Sequence, residues 1–142
     1  MKKVLLLFLV ICILNLSGCV VMQEMQEGYD NAVEYAKEFV DEFTKGNFEQ
    51  AKIYLHPTSS PNKDRLESVV SKLEEMYGVD FNQELETKNV VWKGMAYYDN
   101  AFEGKFYDFQ FEILIGEKMV NMFFVVVDNN IGYGIFYFGI VE

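Results

Sequence analysis

Apolar residues run almost unbroken from position 4 to position 16, between Met1-Lys2-Lys3 and Ser17-Gly18-Cys19. The pattern then becomes periodic. Tyr29, Val33, Ala36, Val40 and Phe43 follow one another at steps of four and three, which predicts one face of a helix over residues 28–44. Lys45-Gly46 reads as its stop, a cation followed by a residue free to turn left-handed. Asn47 with Gln50 three positions on reads as a capping box that opens a second helix, reaching about Leu55 and ending before His56-Pro57. Ser60-Pro61 opens a third, with Leu66, Val69, Val70, Leu73, Met76 and Tyr77 as its stripe and Gly78 as its end. From about residue 84 the period falls to two, and β-branched and aromatic residues dominate.

Polar pairs at Asp99-Asn100, Gly116-Glu117 and Asn129-Asn130 divide that stretch into four strands, roughly 84–98, 101–115, 118–128 and 131–141. Helices followed by an antiparallel meander make an α+β fold. If each pair is a two-residue turn, Tyr98 faces Ala101, Ile115 faces Lys118 and Asp128 faces Ile131. One face of the sheet then gathers Val90, Trp92, Tyr107, Phe109, Phe111, Met122, Phe124, Val126, Tyr133, Ile135 and Tyr137. The alternation from Tyr107 to Ile113 marks it as the face packed on helices. The opposite face holds Asp108, Gln110, Glu112 and Asn121, but also Phe106, Phe123, Val125, Phe136, Phe138 and Ile140. An outer face that apolar predicts a covering partner, a second copy or a loop folded over it. Gly94 and Gly104 are expected bend or bulge sites.

Composition narrows the chemistry. The chain has 142 residues, a formal net charge of −10 and two cysteines. The acidic balance argues against nucleic acid, whose phosphates want a basic face. Two cysteines cannot staple a disulfide scaffold. His56 is the single histidine, so no histidine pair can hold zinc, and its place after a helix predicts a structural or solvated role. Asp128-Asn129-Asn130 lacks the alternating ligands and terminal glutamate of a calcium loop and reads as a turn. No cofactor or metal is expected.

The N-terminal segment has the basic start and apolar stretch of a secretory signal, and falls short of the ~20 apolar residues of a comfortable membrane span. Leu16-Ser17-Gly18-Cys19 resembles the lipobox of bacterial lipoproteins. That resemblance implies cleavage before Cys19, lipid on its sulfur, and a domain held at the cell envelope, on the outside of the cytoplasmic membrane or on the outer membrane. Residues 1–18 would be the signal peptide, 19–28 the lipidated cysteine and a short tether, and 29–142 the folded domain. The eight tether residues 20–27 would span at most about 27 Å if extended. With Cys12 removed and Cys19 lipidated, no thiol would remain for catalysis or metal.

The stretch from Ala32-Val33 to Phe43, then Lys45-Gly46-Asn47-Phe48-Glu49-Gln50-Ala51 and Leu55-His56-Pro57, resembles the opening of the nuclear-transport-factor-2-like superfamily, nearest its bacterial lipoprotein members. The resemblance covers about residues 29–141. It implies a cone, a curved four-stranded meander wrapped around the helices with a pocket between them, as in cystatin-like folds. Some members are enzymes, such as ketosteroid isomerase; others bind or dimerise, often through their sheets.

Two surfaces are therefore candidates. The pocket would be lined by Trp92, Tyr107, Phe109, Tyr133 and Tyr137, whose rings suit a small apolar ligand. The interface would be the outer face at Phe123, Phe136, Phe138 and Ile140. The isomerase-like alternative needs a buried carboxylate or histidine beside a tyrosine. Glu86, Lys88, Glu103 and Lys105 fall toward the ends of the inner face, and no catalytic residue is assigned. The reading is a membrane-anchored, non-catalytic binding or interaction domain. Its expected partners are the membrane through Cys19, a second copy through the sheet face, an envelope protein, or a small apolar ligand.

Overall fold

The computed structural model describes residues 2–59, 63–78, 86–94, 97–101, 103–115 and 117–141; for residues 2–21, 63–64, 86–93 and 115 the description is of the backbone alone. The architecture is α+β: three helices, then an antiparallel sheet that is curled but not closed. Helix α1 spans Lys2–Thr44, α2 spans Phe48–Ala51 and continues as a 3-10 turn over Lys52–Tyr54, and α3 spans Lys63–Tyr77. The strands are β1 (Glu86–Lys93), β2 (Tyr97–Asp99), β3 (Gly104–Ile115), β4 (Lys118–Asn129) and β5 (Tyr133–Val141). The sheet order is β1-β3-β4-β5, with short β2 also paired to β3. The expected first strand is thus two pieces, separated around Gly94. Gly104 pairs with Asn129 without any register shift, so it is no bulge.

Contacts divide the chain into two units, Met1–Asn31 and Ala32–Glu142, and α1 belongs to both. The helix begins well before the expected Gly28. Residues 20–27 contain neither glycine nor proline and are rich in the good helix formers Met, Gln and Glu. Side-chain bonds one turn apart add to this: Gln23 Nε2 donates to Glu27 Oε1 at 3.2 Å and Gln26 Nε2 to Asp30 Oδ1 at 2.8 Å. Among the described residues no helix is long and apolar enough to cross a membrane.

The end of α1 follows from Gly46, whose φ of 73° lets the chain reverse. Gly46 N–H donates to the Phe43 carbonyl and Asn47 N–H to the Glu42 carbonyl, the two bonds of a Schellman stop. Asn47 makes no side-chain cap; its Nδ2 donates instead to Glu42 Oε2 at 2.9 Å, so the expected capping box is replaced by a tie back to α1. Helix α3 ends at Gly78, φ 59°, and Lys118 Nζ donates to the Tyr77 carbonyl. This sets a cation at the negative end of the helix. Of the stripe expected on α3, Leu66 and Leu73 are buried, while Met76 is exposed. Ser60 and Pro61 lie outside the described residues.

The core lies between α1 and the inner sheet face. Phe39 and Phe43 of α1 stack at 5.3 Å, and Phe39 meets Phe138 at 4.9 Å and Phe124 at 6.2 Å. Phe124 in turn stacks on Phe109 at 5.8 Å. Phe111, Ile113, Met122, Val126 and Ile135 complete the layer and are buried. Each such side chain contributes about 1.5–3 kcal/mol by leaving water.

Candidate functional site

Register decides which residues reach which face. Strands β3 and β4 pair as the sequence predicts, from Gly104↔Asn129 to Ile115↔Lys118 without a shift. The other ladders differ. At the β2–β3 turn the last pair is Asp99↔Gly104, and at the β4–β5 turn it is Asp128↔Tyr133. Both turns hold four residues. Asn129 opens the second rather than centring it: its Oδ1 accepts from Ile131 N–H at 2.9 Å and Gly132 N–H at 3.1 Å, and its own N–H donates to the Gly132 carbonyl. Two extra residues leave the faces unchanged. The bulge that follows does not.

Val126 pairs with Ile135, yet Val125 pairs with Tyr137, so Phe136 is the extra residue. Every later side chain of β5 changes face. Tyr137, expected in the pocket, pairs with Val125 on the outer face and is 56% exposed. Phe138 and Ile140, expected at the interface, pair with Phe124 and Met122 on the inner face, both half-buried there. Phe136 is half-buried at the bulge, its ring 6.2 Å from that of His56. Phe123 keeps its expected outer place, half-buried, with Tyr137 at 6.3 Å. A second break lies in β1, where Val90 pairs with Phe111 but Trp92 with Gln110, an outer-face position. The side chain of Trp92 lies outside the described residues.

Tyr107 and Phe109 do lie on the inner face, fully buried. Phe109 packs on Phe111 and Phe124. Beside them is a tyrosine cluster. Tyr35 meets Tyr54 at 4.9 Å and Tyr133 at 5.0 Å, both edge-on, and donates its hydroxyl to the Ile53 carbonyl at 3.1 Å. The Tyr133 hydroxyl is buried without a hydrogen-bond partner. Burial pushes its pKa well above the ordinary tyrosine value, and Tyr107 and Asp128 push the same way. Tyr107 is raised by burial and then by Asp128, and Tyr35 by burial and then by Glu38. The cluster favours neutral phenols. On the outer face burial raises the Asp108 carboxyl.

His56 has a defined structural part. It is buried, and Thr58 N–H donates to its Nδ1 at 3.2 Å, with Thr58 Oγ1 2.7 Å from the same nitrogen. Its Nε2 lies 3.1 Å from Asn129 Oδ1, an acceptor, so Nε2 carries the proton. Its backbone N–H donates to the Ile135 carbonyl, and Leu55 forms a parallel bridge with Ile135. Glycines permit this approach: a Cβ on Gly134 would lie 2.7 Å from His56 N, and one on Gly132 2.8 Å from Pro57 Cγ. The sequence places His56 at a helix end but gives no sign of this lock, whose partner is 73 positions away.

A half-open cavity of about 280 Å³ lies between the start of α3 and β5, lined by Thr58, Ser59, Arg65, Val69, Phe136, Tyr137 and Phe138. Among the described residues no three His, Cys, Asp or Glu side chains stand together as a metal site. Cys19 is a helical position of α1 whose side chain lies outside the described residues. No protein-family model, curated protein or solved structure matches the chain.

Proposed function

We propose that this chain is a lipid-anchored protein of the bacterial cell envelope whose folded domain works by contact with another protein rather than by catalysis. The observation that carries the reading is Leu16-Ser17-Gly18-Cys19 directly after a basic start and an apolar stretch. Two lysines and no acid would leave with residues 1–18, so the mature chain would be more acidic still and repelled from anionic lipid. The helix-helix-helix-meander order supports a place in the nuclear-transport-factor-2-like superfamily. The aromatic residues of the inner face support packing over ligand binding, because Phe109 and Phe138 spend their surface on other rings.

Labelling cells with palmitate tests the anchor. The wild-type chain takes up label and its mature form starts at residue 19; Cys19→Ser abolishes the label and leaves the precursor uncut. A labelled Cys19→Ser chain, or a mature start elsewhere, refutes the anchor. The outer face supports pairing with a second copy, since Phe123 and Tyr137 form an aromatic pair there amid Asp108, Gln110 and Asn121. Sedimentation of the wild type as a dimer and of Phe123→Asp as a monomer is the expected result; a monomeric wild type removes this part.

A further inference from the structure

One end of the sheet carries two four-residue turns side by side. Both begin at partners of Gly104, which pairs with Asp99 on one side and Asn129 on the other. Asn130 Nδ2 donates to Glu103 Oε2 at 3.2 Å, a bond that ties one turn to the other across 27 positions of sequence. The second turn is also held by a third segment: Asn129 Oδ1 takes the N–H groups of Ile131 and Gly132 and lies 3.1 Å from His56 Nε2. A half-open cavity of about 420 Å³ lies between the three, with Thr58, Asn100, Glu103, Asn130, Ile131 and Phe136 in its lining. Glu103 stands at φ 48°, a left-handed conformation that a residue with a β-carbon rarely keeps, and such backbone outliers collect at binding sites.

The lining decides the chemistry. Asn100 and Asn130 are exposed, and each amide has two hydrogens to donate and a carbonyl to accept. The bond between Asn130 and Glu103 uses one amide hydrogen and one carboxylate oxygen, so the rest of both groups serves a ligand. Ile131, 57% exposed, and the ring of Phe136 add apolar surface. Among the described residues no lysine or arginine lines the cavity, and Glu103 is its single acid. Asp99 and Asp128 stand where the two turns leave the sheet. An anion is thus repelled, and among the described residues no three acids gather for a metal ion. What fits is uncharged, polar at its rim and apolar on one side. A pyranose ring has this form, with C–H bonds on its face and hydroxyls around its edge. Two asparagines match an acetamido substituent, amide to amide, with Ile131 beside its methyl group. We propose that this cavity binds an N-acetylated sugar, its acetamido group held by Asn100 and Asn130 and its hydroxyls donating to Glu103. The site goes beyond the protein-contact reading and needs neither the anchor nor the outer face: the Cys19→Ser chain binds the same sugar equally well.

The test titrates N-acetylglucosamine and glucose, which differ only at the acetamido position, into the full isotope-labelled chain in detergent micelles, followed by NMR. The N-acetylated sugar should bind with a Kd below about 10 mM and at least about tenfold more tightly than glucose. The side-chain amide signals of Asn100 and Asn130 should shift, while that of Asn121 stays in place. Asn100→Ala and Asn130→Ala should each weaken binding at least about fivefold, with the circular dichroism spectrum and melting temperature unchanged. N,N′-diacetylchitobiose separates the sources: tighter binding than the monosaccharide marks a glycan chain, equal binding a free sugar, and either upholds the site. Equal affinity for N-acetylglucosamine and glucose, no binding of N-acetylglucosamine below about 10 mM, or shifts confined to other residues overturns the proposal. So does binding that Asn100→Ala and Asn130→Ala both leave unchanged. Binding that disappears with EDTA also overturns it, and reassigns the turns to a divalent cation.

Discussion

Strand β4 has two neighbours and treats them differently. Against β3 it makes a ladder with no shift between Gly104↔Asn129 and Ile115↔Lys118. Against β5 the register slips at Val125/Val126. The regular ladder keeps its alternation over residues 107–113, with Tyr107, Phe109, Phe111 and Ile113 buried and Asp108, Gln110 and Glu112 half-exposed. The slipped ladder exchanges the two faces half-way along β5. One inserted phenylalanine thereby recruits Phe138 to the rings of Phe39 and Phe43 and sends Tyr137 outward. A bulge is thus a means of choosing which aromatic residue of a run goes inside, and it adds local twist to a sheet that must curl.

The sharpest way to break this contrast is to place a charge on either side of the bulge. Phe138→Asp buries a carboxylate among three phenylalanine rings and should cost about 4 kcal/mol or more in urea unfolding. Tyr137→Asp, one position earlier, should cost under about 1 kcal/mol because the side chain is exposed. The reverse order would mean that β5 runs without its bulge.

Smaller effects sharpen the same contrast within β5. Gly134→Ala drives a methyl group into the Leu55 and His56 backbone, which cannot swing away, and should cost about 2 kcal/mol. Gly139→Ala meets only the exposed ring of Tyr137 and should stay within about 0.5 kcal/mol. Equal costs, read from thermal melts, would show that the start of β5 is not pressed against segment 55–57.

No destabilising effect is expected at Tyr133, opposite Asp128 in the slipped ladder. Its buried hydroxyl has no partner, so Tyr133→Phe should be neutral or stabilise by up to about 1 kcal/mol. Its pKa is raised in the fold, so the unfolded chain ionises first. Stability is therefore fully present below pH ~10, the ordinary tyrosine value, and is lost as pH rises beyond it. Tyr133→Phe should reduce that alkaline loss, as measured by urea midpoints from pH 8 to 11. An unchanged slope would place the loss on other tyrosines.

What the sequence revealed and what it hid follow the same division. Ile115 pairs with Lys118, so two residues join β3 to β4, and the alternation of the two strands fixes their register and most of the inner face. The pairs Asp99-Asn100 and Asn129-Asn130 are as short and polar, but each stands at the start of a four-residue turn. There the aspartate and asparagine side chains bond the backbone two residues on, as Asp99 Oδ1 does with Ala101 N–H at 2.7 Å. The bulge could not be read at all, because Ile135-Phe136-Tyr137-Phe138 is apolar at every position and alternation carries no information in such a run. Its choice of inside residue is made by the rings of α1, far away in the chain. Likewise the capping box expected at Asn47 is a local rule, and in the fold the side chain turns back so that its Nδ2 donates to Glu42 Oε2. Cys19, the proposed anchor, needed no fold to be noticed, whereas the groove beside β5 exists only where two distant segments meet.

The clasp between His56 and Asn129 sets a timetable. A ribosome releases His56 long before its partner, so the imidazole, and the ledge made by Leu55 and Pro57, must wait for the closing hairpin to emerge. Joining ends so far apart costs on the order of 4 kcal/mol of chain entropy before any bond repays it. A nascent chain missing its final strand therefore lacks the partners that hold Leu55 and His56 in place.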